Sequence, residues 1–296
     1  MSGVQVRPAT DADLGAIAAI AIATGQHEEW AASNPAYTAH LMRYGRVVVG
    51  ELAGKVVGFG ATQRLGAEPG AVTMLCDLFV DPAAHGSGCG RAMLADLWAE
   101  SPRRMTFSSL HSHAIPLYTS FGLDGWWPLL YLHGEPDRLP ATDGRTVERT
   151  GPDEVAQFEL GWTGVDRTAD HHAWAARPGG APVLVSAGSE VLAVGTVIAA
   201  GPERGIEHLA LSPAADDAVA VAAVLAVLAS LDATARGAAQ QSLPFAGPAH
   251  LCLPGPHPAV RPLLAAGWRF DEFDLFMATE PGLLDPRRAV PSPGQA

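Results

Sequence analysis

A glycine-rich turn between an apolar strand and an amphipathic helix is the part of this sequence best suited to binding a ligand. It reads HGSGCGR from His85 to Arg91, directly after AVTMLCDLFVDPAA. A helix N-terminus carries unpaired backbone N–H groups and a partial positive charge. Glycines beside it let a phosphate approach the backbone closely. The spacing therefore predicts an anion cradle at this turn.

The glycine spacing separates this turn from two common nucleotide-binding motifs. Gly86, Gly88 and Gly90 form G-x-G-x-G, and no lysine follows them. A P-loop needs Gly-Lys-Ser/Thr, and a dinucleotide fingerprint needs G-x-G-x-x-G early in a βαβ unit. Here the turn follows about the fourth predicted strand, so neither motif applies.

The composition restricts the class of protein. The chain has 296 residues, is 48% hydrophobic and carries a formal net charge of -12. This size favours two domains, and the acidity argues against a nucleic-acid partner. An odd number of cysteines without a C-x-x-C pair argues against disulfides and against a metal site. With no signal-peptide pattern and no apolar run of membrane length, we expect a cytoplasmic protein without a membrane partner.

The predicted elements recur in the same order in both halves of the chain. Residues 4–134 read as β-α-α-β-β-β-α-β-α-β, and this order returns after the polar linker EPDRLPATDGRT. Matching landmarks include Pro82 with Pro213 and Gly122 with Gly267. The repetition predicts an internal duplication of one α/β (α+β) domain. The predicted segments are a first domain (1–134), a linker (135–145), a second domain (146–285) and a flexible tail (286–296).

Two motifs in the first half resemble those of the GNAT superfamily of acetyltransferases. The first is a strand ending in Val-x-Pro followed by Gln/Arg-x-x-Gly-x-Gly/Ala. Here Val80-Asp81-Pro82 precedes the turn, and His85 stands where Gln or Arg is usual. The second, Ala-x-x-Leu-Tyr-x-x-x-Gly-Phe, matches Ala114 to Gly122, with Leu123 in place of the final Phe. The resemblance covers residues 4–134.

The resemblance implies a fold and a cosubstrate. The fold would be a tandem duplication of a GNAT-like mixed, mostly antiparallel sheet flanked by helices. The first half would bind acetyl-CoA, with the pantetheine along the strand at Leu78, Phe79 and Val80. The other residues that the resemblance assigns to acetyl-CoA are His85, Gly86, Ser87, Gly88, Cys89, Gly90, Arg91 and His111.

Tyr118 and Asp77 are the candidate catalytic residues. The motif position of Tyr118 implies the acid that protonates the leaving thiolate; the alternative is a packed, water-bonded tyrosine. Strand alternation places Asp77 on the same face as Leu75 and Phe79, and opposite to Cys76. Asp77 would relay a proton or bind the substrate amine, or else be a solvated or salt-bridged carboxylate. His111 is an alternative base, or a residue that caps a helix.

The remaining candidates concern the acceptor and the turn. Glu28, Glu29 and Trp30 lie where the family forms its acceptor wall, and would attract a cationic amine; the alternative is an acidic first helical turn. Cys89, at the start of the helix, is expected to be a small packing residue with a lowered thiol pKa.

The second half keeps the layout without the glycines. Aligned from the prolines, Asp216 and Asp217 replace His85 and Gly86, and valines replace Gly88 and Gly90. We therefore expect a degenerate copy without acetyl-CoA. The predicted function is N-acetyl transfer to a small-molecule amine in the first half, by a monomer or homodimer. The alternatives are protein N-acetylation and an acetyl-CoA sensor or scaffold without turnover.

Overall fold

The computed structural model describes residues 3–25, 35–142, 144–199, 204–239 and 248–295, with the side chains of 232–239 left out. The first half follows the predicted order of elements. Its strands are β1 (Gln5–Pro8), β2 (Arg46–Leu52), β3 (Lys55–Leu65), β4 (Val72–Val80), β5 (Arg104–Ser108) and β6 (Asp124–Gly134). Its helices are α1 (Leu14–Ala23), α2 (Pro35–Tyr44), α3 (Cys89–Leu97) and α4 (Ala114–Thr119).

The second half repeats this order and adds a short final strand. Its strands are β7 (Thr146–Arg149), β8 (Gly180–Ala187), β9 (Glu190–Ile198), β10 (Gly205–Leu211), β11 (Ala249–Pro254), β12 (Arg269–Ala278) and β13 (Ala289–Val290). Its helices are α5 (Pro152–Thr163), α6 (Thr168–Ala176), α7 (Asp217–Ala239) and α8 (Val260–Ala265). The recurrence confirms the mixed α/β architecture that the sequence predicts.

Local signals explain where the first elements begin. Thr10 and Asp13 form a capping box, in which the Asp13 carboxylate accepts from the Thr10 backbone N–H at 2.8 Å. Arg7 on β1 holds the same carboxylate in a two-point ion pair. Because this satisfies backbone donors at the helix start, the apolar run that follows enters α1 directly.

The two halves share one sheet. Within the described residues, its strands run in the order β1-β2-β3-β4-β5-β12-β6-β11-β10-β9-β8-β7, with β13 beside β10. The last strand of each half has therefore changed places: β12 pairs with β5, and β6 pairs with β11. The predicted division into segments 1–134, 135–145 and 146–285 stays a prediction, since neither half completes its own sheet.

The first half packs different cores against the two faces of its sheet. The core under α3 contains Leu75, Met93, Leu94 and Tyr118. The core under α1 and α2 contains Ile17, Leu41 and Phe59 and related residues, with Cys76 and Phe79 packed against it. The face on which each β4 side chain lies matters for function, because it determines which of the two cores that side chain contacts.

The end of the chain is ordered, which corrects the expectation of a flexible tail from residue 286. Strand β13 pairs with β10 through Val290 and Leu209. Gln295 is 4% exposed and its side-chain oxygen accepts from the Trp174 indole N–H at 2.8 Å. The tail stays in place because its apolar and amide groups are buried and hydrogen-bonded, which the polar composition of PRRAVPSPGQA does not show.

A buried polar cluster joins the tail to both halves. Its centre is Asp170 on α6, which accepts from Gln63 of β3 at 2.7 Å and meets the His40 ring at 2.8 Å. Arg167 pairs with Asp170 and donates to the Gln295 carbonyl at 2.7 Å. The two halves are therefore joined by hydrogen bonds as well as by the exchanged strands.

None of the described helices is both long and apolar enough to cross a membrane. Nor do the described residues bring together three histidine, cysteine, aspartate or glutamate side chains in a way that would hold a metal ion.

Candidate functional site

The glycine turn has the backbone shape of an anion cradle. Strand β4 ends at Val80, and the Asp81 carboxylate accepts from the Ala83 N–H at 2.9 Å, which starts the turn. Gly86 has φ of 79° and Gly88, the residue before α3, has φ of 85°. Side-chain-bearing residues rarely adopt such angles. A Cβ at either glycine would meet nothing within 4 Å, so the space above the turn is open.

Gly90 and Cys89 face away from this open space. A Cβ at Gly90 would lie 3.7 Å from Leu117 and Val80, an ordinary contact. The Cys89 side chain is 1% exposed, and its Sγ fills the space beside Gly50 and Gly58. Burial raises the pKa of the Cys89 thiol, which corrects the expectation of a lowered value. These two residues can serve the cradle only through their backbone N–H groups, and the Cys89 N–H already donates to the Ser87 hydroxyl at 3.3 Å.

Three imidazole rings gather at the turn. The His85 ring is hydrogen-bonded to the Val80 carbonyl at 3.0 Å. Its centroid lies 6.2 Å from that of His111 and 6.5 Å from that of His113. The sequence nominates His85 and His111 separately, and the structure places them side by side. Arg91 is turned toward the Phe121 ring, with its guanidinium carbon 5.6 Å from the centroid.

A cleft opens between the two parallel strands next to the cradle. Strands β4 and β5 pair only from Thr73–Arg104 to Leu75–Thr106. Beyond that point, Leu78, Phe79 and Val80 continue along β4 without β5 beside them. Leu78 and Val80 pack against the core under α3, and Phe79 packs against Phe59 on the other face. The open side of β4 is therefore a strand edge that an extended ligand can line.

A β-bulge in β4 determines which way Asp77 faces. Ala61 pairs with Asp77 and Thr62 pairs with Leu75, so Cys76 is an extra residue. Leu75 packs under α3, whereas Cys76 and Phe79 pack on the side of α1 and α2. The predicted sharing of one face by Leu75 and Phe79 is therefore wrong, because simple alternation fails at a bulge. Asp77 lies on the α2 side, next to Tyr37.

The Asp77 carboxyl group is suited to exchange protons near neutral pH. Burial raises its pKa to about 7, although the Tyr37 hydroxyl acts in the opposite direction. That hydroxyl donates to the Gly294 carbonyl at 3.0 Å and stands within reach of Asp77. A carboxylate with such a pKa can accept a proton from an ammonium group without binding it permanently.

Tyr118 lies on α4, in the core under α3. It is 7% exposed, and its ring meets that of Trp98 edge-on at 6.3 Å. Burial raises the pKa of its hydroxyl, and the negative charges of Asp274 and Asp77 raise it further. Asp77 and Tyr118 therefore lie on opposite faces of the sheet, close enough for the Asp77 charge to act on the Tyr118 hydroxyl.

Asp274, whose charge also acts on the Tyr118 hydroxyl, comes from the other half of the chain. It lies on β12, and its Oδ2 accepts from the Tyr131 hydroxyl at 2.7 Å. Burial raises the pKa of Asp274, while the Tyr131 hydrogen bond lowers it. Sequence reasoning missed Asp274, Tyr131 and Tyr37. No sequence signal identifies Asp274, because its place depends on the strand exchange.

The predicted acceptor residues Glu28, Glu29 and Trp30 lie outside the described residues. Their contact with an acceptor stays a prediction.

The corresponding turn of the second half is closed by its own side chains. Asp216 Oδ1 accepts from the Val219 N–H at 2.8 Å, at the start of α7. Arg287 pairs with Asp217, and Arg288 donates to the Pro213 carbonyl. Beside the turn lies an open cavity of about 570 Å³, lined by aspartates and arginines that include Asp216, Asp217 and Arg287. The first turn of α7 already carries a bonded carboxylate, which repels an incoming phosphate.

A buried ion cluster also fills the place in the second half that corresponds to Asp77. Counted back from the matching prolines, His208 stands at this position and is 4% exposed. Its Nε2 lies 2.9 Å from Glu159 Oε1, and the His171 ring holds the other carboxylate oxygen at 2.8 Å. Burial acts to raise the pKa of Glu159, but His208, His171 and Arg167 together bring it below its usual value.

Comparisons with known proteins agree with this geometry. Residues 43–122 match the family described as the acetyltransferase (GNAT) domain. This stretch contains the cradle, β4, β5 and Tyr118. A search of the curated proteins found no match.

Solved structures resemble the whole chain in fold at low sequence identity. A candidate acetyltransferase from Pyrococcus horikoshii has a TM-score of 0.68 and 14% identity, over 99% of this chain and 93% of that one. A glucosamine N-acetyltransferase region of a fungal β-N-acetylglucosaminidase has a TM-score of 0.65 and 12% identity, over 94% of this chain and 38% of that one. A tandem GNAT protein from the clavulanic acid biosynthesis pathway has a TM-score of 0.60 and 16% identity, over 95% of this chain and 100% of that one. These similarities show a tandem GNAT fold.

Proposed function

We propose that the first half of the chain, whose residues 43–122 match the acetyltransferase (GNAT) domain family, transfers an acetyl group from acetyl-CoA to a primary amine of a small molecule. Acyl transfer is the chemistry of the family. The donor, the acceptor and the location in the first half are the proposal.

The residues of the first half fit acetyl-CoA. Gly86 and Gly88 hold backbone angles that favour glycine, under open space, at the start of α3. Backbone N–H groups at a helix start bind phosphate oxygens. The free edge of β4 beyond Leu75 can hydrogen-bond an extended pantetheine arm. The turn at α7 lacks the glycines and carries the Asp216 carboxylate on its Val219 N–H, so we propose one acetyl-CoA per chain.

Asp77 and Tyr118 supply the two proton transfers. When bound, acetyl-CoA supplies a thioester whose carbonyl carbon bonds to the amine nitrogen as the carbon–sulfur bond breaks, leaving a thiolate. Asp77 takes the proton that the ammonium must lose before its nitrogen can attack. The Tyr118 hydroxyl gives a proton to the departing sulfur, and its burial keeps it protonated beforehand. The second proton that the nitrogen loses as the amide forms restores the Tyr118 hydroxyl.

The observation that carries this proposal is a carboxyl group with a pKa near 7 and a buried tyrosine beside one cleft, at the end of the strand that leads into the cradle. The positions of these two groups and their protonation states both suit the transfer of an acetyl group to an amine. A passive binding module would not need either group.

The test combines calorimetry with an assay of free thiol release. We expect one acetyl-CoA bound per chain, and thiol release that depends on an added primary amine. Tyr118→Phe should lower kcat at least about 100-fold, because the leaving thiolate loses its acid, while acetyl-CoA affinity stays within about threefold.

Three outcomes would contradict parts of the proposal. Binding without thiol release for any amine would favour a sensor or scaffold. Preferred acetylation of peptide lysines or N-termini would favour a protein acetyltransferase. Absence of acetyl-CoA binding would overturn the proposal as a whole.

A further inference from the structure

Two carboxylates, Asp77 and Asp274, stand on opposite sides of a gap in the sheet. Strand β5 lies between β4 and β12 and ends at Ser108. Ser108 pairs with Leu275, so Asp274 is the first residue of β12 beyond the end of β5. Asp77 likewise lies just beyond Leu75, the last residue of β4 that pairs with β5. Both aspartates therefore flank the same opening.

Both side chains also project from the same face of the sheet. Asp274 lies opposite Leu129, and its partner Tyr131 is opposite Cys252. Leu129 and Cys252 belong to the core that Cys76 also contacts, on the α2 face. Asp77 meets Tyr37 on this face. Since neighbouring strands are about 4.8 Å apart and β4 has parted from β5 here, the two backbones are separated by at least about 10 Å.

Each carboxylate lies beside a tyrosine, and in the described part of the chain neither has a basic partner. Tyr37 stands beside Asp77, and Tyr131 donates to Asp274 at 2.7 Å. Among the residues that the structure describes, neither aspartate forms an ion pair with an arginine or a lysine. Both are partly exposed. A half-buried carboxylate without a counter-charge favours a cationic ligand.

One monoamine satisfies only one of these groups. The amine that attacks must lie at the cleft beside Asp77, which leaves Asp274 across the gap. We propose that the acceptor is a short aliphatic diamine, with one amino group acetylated beside Asp77 and the other, as ammonium, bound by Asp274 of the exchanged strand. This inference rests on the proposed function and adds the substrate class to it. It also gives the second half a direct part in the site.

The test compares 1,4-diaminobutane with butylamine, which has the same carbon chain and one amino group. For the unmodified protein we expect kcat/KM to be at least 10-fold higher for the diamine. Asp274→Asn should reduce this ratio to between one and two, mainly through a higher KM for the diamine. Asp271→Asn removes an equal charge from an exposed position on the same strand whose charge does not act on Asp274, and should leave the ratio unchanged.

A second measurement separates failure of this inference from failure of the proposed function. If acetyl-CoA binds but neither amine is acetylated, calorimetry of the two amines still tests the site. At least 10-fold tighter diamine binding, lost in Asp274→Asn, would support it. Equal kcat/KM and equal affinity of the unmodified protein for the two amines would overturn it, even if Asp274→Asn fails to fold.

Discussion

At the scale of single residues, the protonation of Asp77 links the site to stability. The bulge at Cys76 turns this carboxyl group toward a buried face, where its pKa is about 7. A carboxyl whose pKa is higher in the folded than in the unfolded state stabilises the fold most below its unfolded pKa. That contribution is lost as the pH rises through about 7. Keeping a proton acceptor here therefore lowers stability at alkaline pH.

Asp77→Asn should consequently raise the free energy of unfolding at pH 8.5, because the amide need not ionise. The difference in free energy of unfolding between this variant and the unmodified protein should be smaller at pH 5 than at pH 8.5 by roughly 3 kcal/mol. Urea unfolding at the two pH values measures this. Asp124→Asn, at an exposed position on β6, is the control. An advantage of Asp77→Asn that does not change with pH would argue against a raised pKa.

At the scale of elements, the cradle depends on two glycines rather than three. Gly86 and Gly88 hold positive φ angles, whereas a Cβ at Gly90 would make only ordinary contacts inside α3. The alternation G-x-G-x-G therefore combines two different requirements. The first two glycines shape the turn, and the third lies in the helix.

Gly88→Ala and Gly90→Ala form a matched pair. An alanine at φ of 85° costs about 1 to 2 kcal/mol and distorts the turn. We expect Gly88→Ala to weaken acetyl-CoA binding at least 10-fold, and Gly90→Ala to change it less than threefold. Calorimetric titration measures both affinities, and circular dichroism checks that α3 is retained. Equal losses in the two variants would contradict this division of roles.

At the scale of the whole molecule, the exchanged strands make the two halves one folding unit. Without β12, strand β5 would expose an edge, and without β11 so would β6. Trp127 and Phe276, whose rings stack at 4.3 Å, come from different halves and share one core. Such a core is buried only when both halves are present.

The full chain should therefore unfold in one cooperative transition, with equal calorimetric and van't Hoff enthalpies. Residues 1–145 expressed alone should fail to give a stably folded monomer, and coexpression with residues 146–296 should restore the fold. Differential scanning calorimetry and size-exclusion chromatography measure these outcomes. Two separate transitions in the full chain would show that the halves are independent.

Local sequence patterns were sufficient to predict much of the secondary structure of this protein. The order of elements in both halves follows from hydrophobic periodicity and turn residues, which act over a few neighbours. The glycine turn and the motif around Tyr118 are also contiguous in the chain. The facing of Asp77 was predicted wrongly because one extra residue in β4 reverses the alternation. The ordered tail was missed because its partners lie more than 100 residues away.

The sequence by itself determined the repeated α/β layout, the cradle glycines and the identity of Tyr118 and Asp77 as candidates. Only the tertiary structure decided that β12 and β6 change places, and hence that Asp274 reaches the cleft of the first half. The reason is that strand pairing is a long-range choice. The pattern of β12 suits either half's sheet, and packing of both halves selects the partner.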